Sequence, residues 1–360
     1  MAAGNYRRLQ AMLSSRRMSP AQTQHRSAPL DGLRAVAVLA VLMFHTSVLP
    51  GGSVGVDVFF VLSGYLITGI LVRELDAAGR VDVAAFLVRR ARRLAPALIF
   101  LLSIWAVFLA LMGALNREHN LAAIGVAGLY LMNVVKAFSP GWGGGLAHTW
   151  SLSVEEQFYL AWPFVLALVL KAGRSRAAQI LLSAWIAVTV ARVGWMFLHL
   201  AAAGVPYYLL HQSGLLLGSA IALAAPRRRW GLVGLVGLGI VFLCNSKTGV
   251  AWVITAAEIA AAAIIIDPPR WLGVAPLRAL GRVSYGVYLW HIPLLYALGG
   301  PSGPRATLLL AGMSIACAAL SWRYVEQPFL NTAKRQAQRD AASPVCAPYG
   351  LSSTSAETMP

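Results

Sequence analysis

Apolar runs of 15 to 23 residues recur along some 300 positions of this 360-residue chain, separated by short polar or basic segments. They lie at 32–49, 54–72, 94–113, 121–136, 152–171, 177–199, 207–224, 230–244, 250–266, 284–299 and 305–327. About 20 apolar residues suffice for a helix to cross a bilayer, so the pattern predicts an all-α polytopic membrane protein and not a soluble core. Of these eleven candidates the fourth, 121–136, is short and interrupted by glycine. Two weaker patterns accompany the runs: GLVGLVGLG at 231–239 offers small residues for close helix packing, and GGSVGVDVFFVLSGYL at 51–66 predicts a tight turn into the second span.

Charge decides the number of crossings. With all eleven runs spanning and the N-terminus inside, 14 basic residues of loops and tails fall inside and 13 outside, which is no bias. If 121–136 does not cross, ten spans leave both termini cytoplasmic and 23 Lys/Arg inside. The outside then holds four: Arg117, Lys136, Lys247 and Arg305. Only Arg34, Arg192 and Arg323 remain within spans. Such an asymmetry is the positive-inside pattern, so we expect a bundle of about ten transmembrane helices. The domain division is a basic cytoplasmic segment over 1–29, a transmembrane domain over 30–330 and a polar, disordered cytoplasmic tail over 331–360. The Arg-rich start does not resemble a cleaved signal; a transit or interfacial segment and a true start at Met18 are both compatible with it.

Composition supports this class. The chain is 58% hydrophobic and 12% charged, with mean hydropathy +0.66. The net charge of +17 and pI near 10.6 would suit a nucleic-acid partner, but the arginines sit at span ends and form no stripe, so none is expected. Cys244, Cys317 and Cys346 are too few and scattered for a disulfide framework.

The informative residues are ionisable groups inside the runs. Each costs about 2.5–3.5 kcal/mol on insertion scales, so it persists where it pairs, lines a wet cavity or does chemistry. Arg34 and His45 are eleven residues apart on the first span, about 20° from three whole turns. They face the same way about 16 Å apart along the axis. Asp57 and Glu155 fall at about His45's depth when depth is counted from the span ends, which suggests an imidazole base oriented by one of the two carboxylates. Separate neutralisation of each group within the bundle fits the same positions. So would zinc on His45 with His148, His199 or His211, though no H-x-x-x-H spacing supports a metal. Arg89, Arg90, Arg92 and Arg93 exceed what topology needs; they suit a phosphate-bearing donor at the cytoplasmic face, or anionic lipid headgroups. Tyr288 and His291 lie one turn apart and could contact substrate, and mid-span Glu258 could face the same cavity. Trp150, Ser151 and Tyr159 place further hydrogen-bond donors in the 148–163 stretch.

Six segments occur here in a familiar order: RAVAVLAVLMFH (34–45), GVDVFFVLSGYLIT (55–68), RRARRLAP (89–96), HTWSLSVEEQFYLAWP (148–163), SYGVYLWHIPL (284–294) and RYVEQPF (323–329). Together they resemble the acyltransferase-3 family of integral-membrane O-acyltransferases, from about Leu30 to Leu330. The resemblance implies a ten-helix protein of the bacterial cytoplasmic (inner) membrane. It would carry an acyl group, usually acetyl, from cytoplasmic acyl-CoA to a hydroxyl of a surface glycan or its lipid-linked precursor. No bound cofactor is implied; acyl-CoA is a co-substrate, and membrane lipids surround the bundle. The R-x10-H motif maps onto Arg34 and His45, with His45 catalytic, and R-x-x-R maps onto Arg90 and Arg93, followed by Leu94, Ala95 and Pro96. The acidic residue maps onto Glu155. No segment of these 360 residues resembles the hydrolase-like domain fused to some members, so acceptor handling is expected to fall to the bundle or to partners. O-acylation of a secreted small molecule such as a macrolide sugar stays open. So do two other classes, a proton-coupled transporter and a non-catalytic scaffold.

Overall fold

The computed structural model describes residues 20–114, 119–197, 208–209, 211–226, 229–244 and 250–331. Arg117, His199, Arg227, Arg228, Lys247 and Cys346 lie outside them, as do most of the two terminal segments. Among the described residues the chain is helical, with no strand. The α-helices are α1 (Pro20–His45), α2 (Gly55–Ala78), α3 (Val83–Leu111), α4 (Asn120–Gly128), α5 (Met132–Phe138), α6 (Trp150–Leu170), α7 (Arg174–Phe197), α8 (Ser213–Ala224), α9 (Gly231–Leu243), α10 (Val250–Ile266), α11 (Ala275–Ala297) and α12 (Pro304–Ser321). A 3₁₀ segment, Gly144–Thr149, leads into α6, and a π-turn, Trp322–Glu326, follows α12.

Among the described residues, six helical stretches are long and apolar enough to cross a membrane: Ala28–His45, Gly52–Ala78, Val83–Leu111, Gly144–Leu170, Arg174–Trp195 and Pro304–Asn331. Three apolar helices are shorter, and α11 has 23 residues but carries Arg278 and Arg282. The 121–136 run is not one helix. It breaks at Tyr130 (φ +54°) into α4 and α5, of nine and seven residues. At 1.5 Å per residue, neither half approaches the roughly 30 Å of a hydrocarbon core.

Burial is inverted relative to a soluble protein. Large apolar side chains such as Leu111, Phe164, Leu168, Leu232, Val236 and Leu308 point outward, while Asp57, His148, Arg192, His211, Glu258 and His291 are buried. Outward apolar faces suit lipid, and the polar groups find partners among the helices.

The bundle is organised around α1, which packs on α2, α11 and α12. Close contact there requires glycine. A Cβ on Gly281 of α11 would stand 1.8 Å from the Asp31 carbonyl oxygen of α1. A Cβ on Gly64 of α2 would stand 2.0 Å from the Leu215 carbonyl oxygen of α8. Without hydrocarbon-against-water driving force, such backbone approach is a main source of helix association in lipid. The α2–α8 seam also holds a buried hydrogen bond from Thr68 to Ser219 of 2.9 Å, and Trp162 of α6 donates to Thr68 at 2.9 Å.

Gly64→Val should therefore force α2 and α8 apart. Overpacking of this kind costs about 1–3 kcal/mol or more. We expect a clear fall in the detergent melting temperature of purified protein; an unchanged melt would mean that this seam does not limit stability.

Candidate active site

The four clustered arginine side chains occupy three environments, and the helix geometry says why. Positions 90 and 93 of α3 are three apart and share a face, which lines a cavity together with Arg34 of α1 and Arg282 of α11. Arg89 turns away and pairs with Glu74 at 2.8 Å, and Arg92 is exposed. The cavity has about 740 Å³ of non-atom space, counting its open mouth. Ser63 of α2, Ser151, Glu155 and Tyr159 of α6, and Ser284, Tyr285 and Tyr288 of α11 complete much of the wall. The Arg90 guanidinium lies 5.7 Å from the ring centres of both Phe86 and Tyr159. Arg34 stands 3.5 Å from Asp31. With four guanidinium groups and Glu155 as the single acid on its wall, the cavity is suited to a multiply charged anion.

Glu155 belongs to this cavity. Its carboxylate accepts a 2.7 Å hydrogen bond from Ser63, whose hydroxyl in turn accepts from Tyr159 at 3.3 Å. The expectation set Glu155 beside His45; the structure sets it in the arginine-lined cavity, bonded to Ser63. The reason is local. The inward course begins at Gly144, not at 152, because the 3₁₀ segment Gly144–Thr149 already sits inside the protein, with Gly145, Leu146, His148 and Thr149 buried. Counting depth from residue 144 carries Glu155 past the histidine level to the arginines.

His45 instead meets histidines. Its ring centre lies 5.2 Å from that of His291 on α11, and His291 lies 5.2 Å from His148. Tyr288 packs on both, at 5.1 Å from His291 and 5.6 Å from His148. The Tyr288 hydroxyl is shared with Ser151 at 2.7 Å and reaches the His148 carbonyl oxygen at 3.1 Å. Tyr288 thus belongs to the cavity wall and to the histidine cluster at once. Positions 282, 285, 288 and 291 explain the connection: residues at every third position wind slowly round α11 and lead from the arginine face to the histidines. Arg34 and His45 lie on one unbroken helix, one at the cavity and the other at the cluster.

The other buried charges are occupied elsewhere. Asp57, the alternative partner for His45, stands 2.7 Å from His211. Glu258 does not face the arginine-lined cavity; its carboxylate lies 3.5 Å from Arg192, with the two side chains 0% and 2% exposed. Ser213 bridges that pair, Trp185 donates to Glu258 at 2.8 Å, and Arg192 donates to Thr255 at 3.0 Å. In the 114–149 segment, Lys136 donates to the Pro140 and Trp142 carbonyls and lies 5.1 Å from the Tyr208 ring centre; burial lowers its pKa. No group of three His, Cys, Asp or Glu side chains able to hold a metal ion occurs among the described residues.

Sequence reasoning missed Ser63 and Arg282 and placed His148 only as a metal ligand. Ser63 could have been noted inside the 55–68 segment. Arg282 counted merely as a topology charge, although its three-residue spacing to Tyr285 and Tyr288 was visible.

Comparison with known proteins fits this geometry. A family profile described as an acyltransferase domain matches residues 28–324. The chain belongs to the acyltransferase-3 family. Among its curated relatives, "O-acetyltransferase OatA" of Staphylococcus aureus (strain NCTC 8325 / PS 47) is 28% identical over 371 residues, covering 91% of this chain and 60% of that protein. "Putative O-acetyltransferase SACOL0978" of Staphylococcus aureus (strain COL) is 29% identical over 343 residues, covering 83% of this chain and 56% of that protein. The chain thus spans a little over half the length of these relatives. No solved structure matches it. An acyltransferase domain and a multi-pass helical membrane architecture therefore coincide on one chain.

The buried ion pair yields a stability prediction. Arg192→Leu strands the Glu258 carboxylate, and breaking such a pair costs about 3–5 kcal/mol, whereas replacing both partners by apolar groups is far milder. The melting temperature should drop sharply for Arg192→Leu and recover in Arg192→Leu/Glu258→Leu. Equal melting of the single and double variants would remove the coupling.

Proposed function

We propose that the chain is a membrane O-acyltransferase that moves an acyl group, by preference acetyl, from cytoplasmic acyl-CoA to a hydroxyl of a surface glycan or its lipid-linked precursor. The observation that carries this reading is the continuity between two unlike sites: an arginine-lined cavity and, through Tyr288, a histidine cluster containing His45. Arg34, Arg90, Arg93 and Arg282 would hold the phosphates of the donor by planar, charge-assisted hydrogen bonds. The thioester would then enter toward Tyr288 and Ser151. His45 acts as general base: it takes the proton of the acceptor hydroxyl as the oxygen attacks the thioester carbonyl. The carbon–sulfur bond breaks, and its electron pair leaves on the CoA sulfur. Glu155, set among the arginines, is a partner of the donor cavity and of Ser63.

The arrangement suits a ten-span topology with both termini cytoplasmic, in the inner membrane of a bacterium. The arginines then face the cytoplasm, His45 lies toward the outside and only the acyl group crosses. Residues 114–143 are external in this topology. Ser139→Cys, with the native cysteines replaced, should react with an impermeant thiol reagent on intact cells; protection of that position would reverse the sidedness.

The chemical test is a contrast between the two ends. His45→Ala should lower acetyl transfer from acetyl-CoA to alkali-labile ester in isolated membranes by about 10²–10⁴-fold while acetyl-CoA still binds. Arg90→Ala/Arg93→Ala should weaken acetyl-CoA binding, and the double lysine variant should restore only part of it. Near-normal transfer by His45→Ala at matched abundance would eliminate the base, and unaltered binding by the double alanine variant would leave those arginines as topology and lipid anchors.

A further inference from the structure

A histidine base becomes an imidazolium when it takes a proton, and the N–H on its other nitrogen then needs an acceptor. In hydrolase triads a carboxylate fills that place. Here both expected carboxylates are engaged elsewhere, Asp57 with His211 and Glu155 with Ser63. The ring beside His45 is His291, completely buried on α11.

The hydrogen bonds around His291 fix what it can offer. Its Nδ1 lies 2.5 Å from the Tyr288 carbonyl oxygen. A carbonyl oxygen only accepts, so Nδ1 carries the proton and Nε2 is left as a bare lone pair. That Nε2 is buried and has no hydrogen-bond partner among the described residues. An orphan acceptor inside a membrane protein is costly and needs a reason. His148 is held the same way on its opposite edge: Nε2 faces the Leu289 carbonyl oxygen at 3.1 Å, and the buried Nδ1 has no partner among the described residues. Two neighbouring rings are thus fixed as neutral acceptors by main-chain carbonyls. The two rings of His45 and His291, tilted 49° at a 5.2 Å centroid separation, make no hydrogen bond as they stand; a turn of the His45 side chain that points a ring nitrogen at Nε2 would bring the two to about 3 Å, within hydrogen-bond range.

We propose that His291 is the positioning residue of the transfer reaction: its Nε2 accepts the second N–H of His45 and so aims the basic nitrogen at the acceptor hydroxyl. This rests on the reading of His45 as general base. The proton of the hydroxyl moves to His45, the new carbon–oxygen bond forms and the carbon–sulfur bond breaks onto sulfur. The proton then leaves His45 for the thiolate or water. His291 orients and shares charge throughout without itself gaining or losing a proton. A neutral acceptor suits its surroundings, because a carboxylate at this depth would bring an unpaired charge into the bundle. His148 supports the ring from the other side.

Glutamine can place an acceptor oxygen near the position of Nε2, asparagine falls short of it, and phenylalanine keeps the ring volume without an acceptor. Each variant is assayed in isolated membranes with labelled acetyl-CoA and the endogenous acceptor, counting alkali-labile ester at matched abundance. His291→Phe should lower kcat by about 10²-fold, the scale of a misaimed catalytic group, with KM for acetyl-CoA changed less than about twofold. His291→Gln should regain about tenfold or more of that loss and His291→Asn should not. Near-native turnover by His291→Phe, a parallel rise in KM, or glutamine no better than asparagine would each overturn the assignment. If His291→Phe does not reach the membrane, the glutamine–asparagine comparison decides alone. A silent His45→Ala defeats the base and this inference together; an inactive His45→Ala beside an active His291→Phe defeats only the inference.

Discussion

Charged and hydrogen-bonding groups inside a bilayer must find each other, and most of the architecture follows from where this chain lets them do so. An uncompensated ion at mid-depth costs several kcal/mol, comparable to a large part of the net stability of an ordinary domain. The protein meets the constraint in separate compartments. Arg192 and Glu258 close on one another through Ser213 and Trp185, Asp57 closes on His211, and neither set faces the arginine-lined cavity. The groups that remain open are those around the cavity and the histidine cluster. Stability and candidate chemistry are thus largely divided: α7, α8 and α10 hold the Arg192–Glu258 network, α1, α3, α6 and α11 carry the open one, and α2 serves both through Asp57 and Ser63.

How far the sequence could be read depended on what each feature requires. Helical character and the long apolar runs needed only local hydropathy, and the structure agrees closely on where most helices fall. The failure of 121–136 to form one span was foreshadowed by its glycines and by the charge asymmetry, although the break itself occurs at Tyr130. Arg34, Arg90 and Arg93 could be grouped because helix spacing and membrane side act within a few turns. Glu155 was misplaced because its depth was inferred from where hydrophobicity begins. A 3₁₀ segment rich in glycine, with His148 and Thr149 in it, does not read as an apolar span, yet it is buried. Which carboxylate meets which histidine was not legible either, since those contacts join helices distant in sequence.

Family membership and geometry bear on different questions. Membership supplies the class of reaction, and the names of the relatives give the acetyl group and the oxygen acceptor of those proteins. The geometry supplies a division of labour that a motif list does not contain. Arg89 and Arg90 are adjacent, yet one pairs with Glu74 and the other lines the cavity. The two glutamates beside each other in the 148–163 segment likewise differ, since Glu155 is the one held by Ser63.

The glycine contacts have a consequence for motion. Backbone carbonyls of α1 and α8 lie where side chains of Gly281 and Gly64 would otherwise be, so these helices are interlocked at main-chain level and cannot slide past one another without losing that fit. The distance between the arginine end and the histidine end is then a fixed dimension of the frame, set by the three turns of α1 between Arg34 and His45. A protein built this way works as a gauge. Chemistry at His45 would be open only to a donor whose flexible arm is long enough to span that gap, and shortening the arm would silence the reaction without weakening the grip on its charged end.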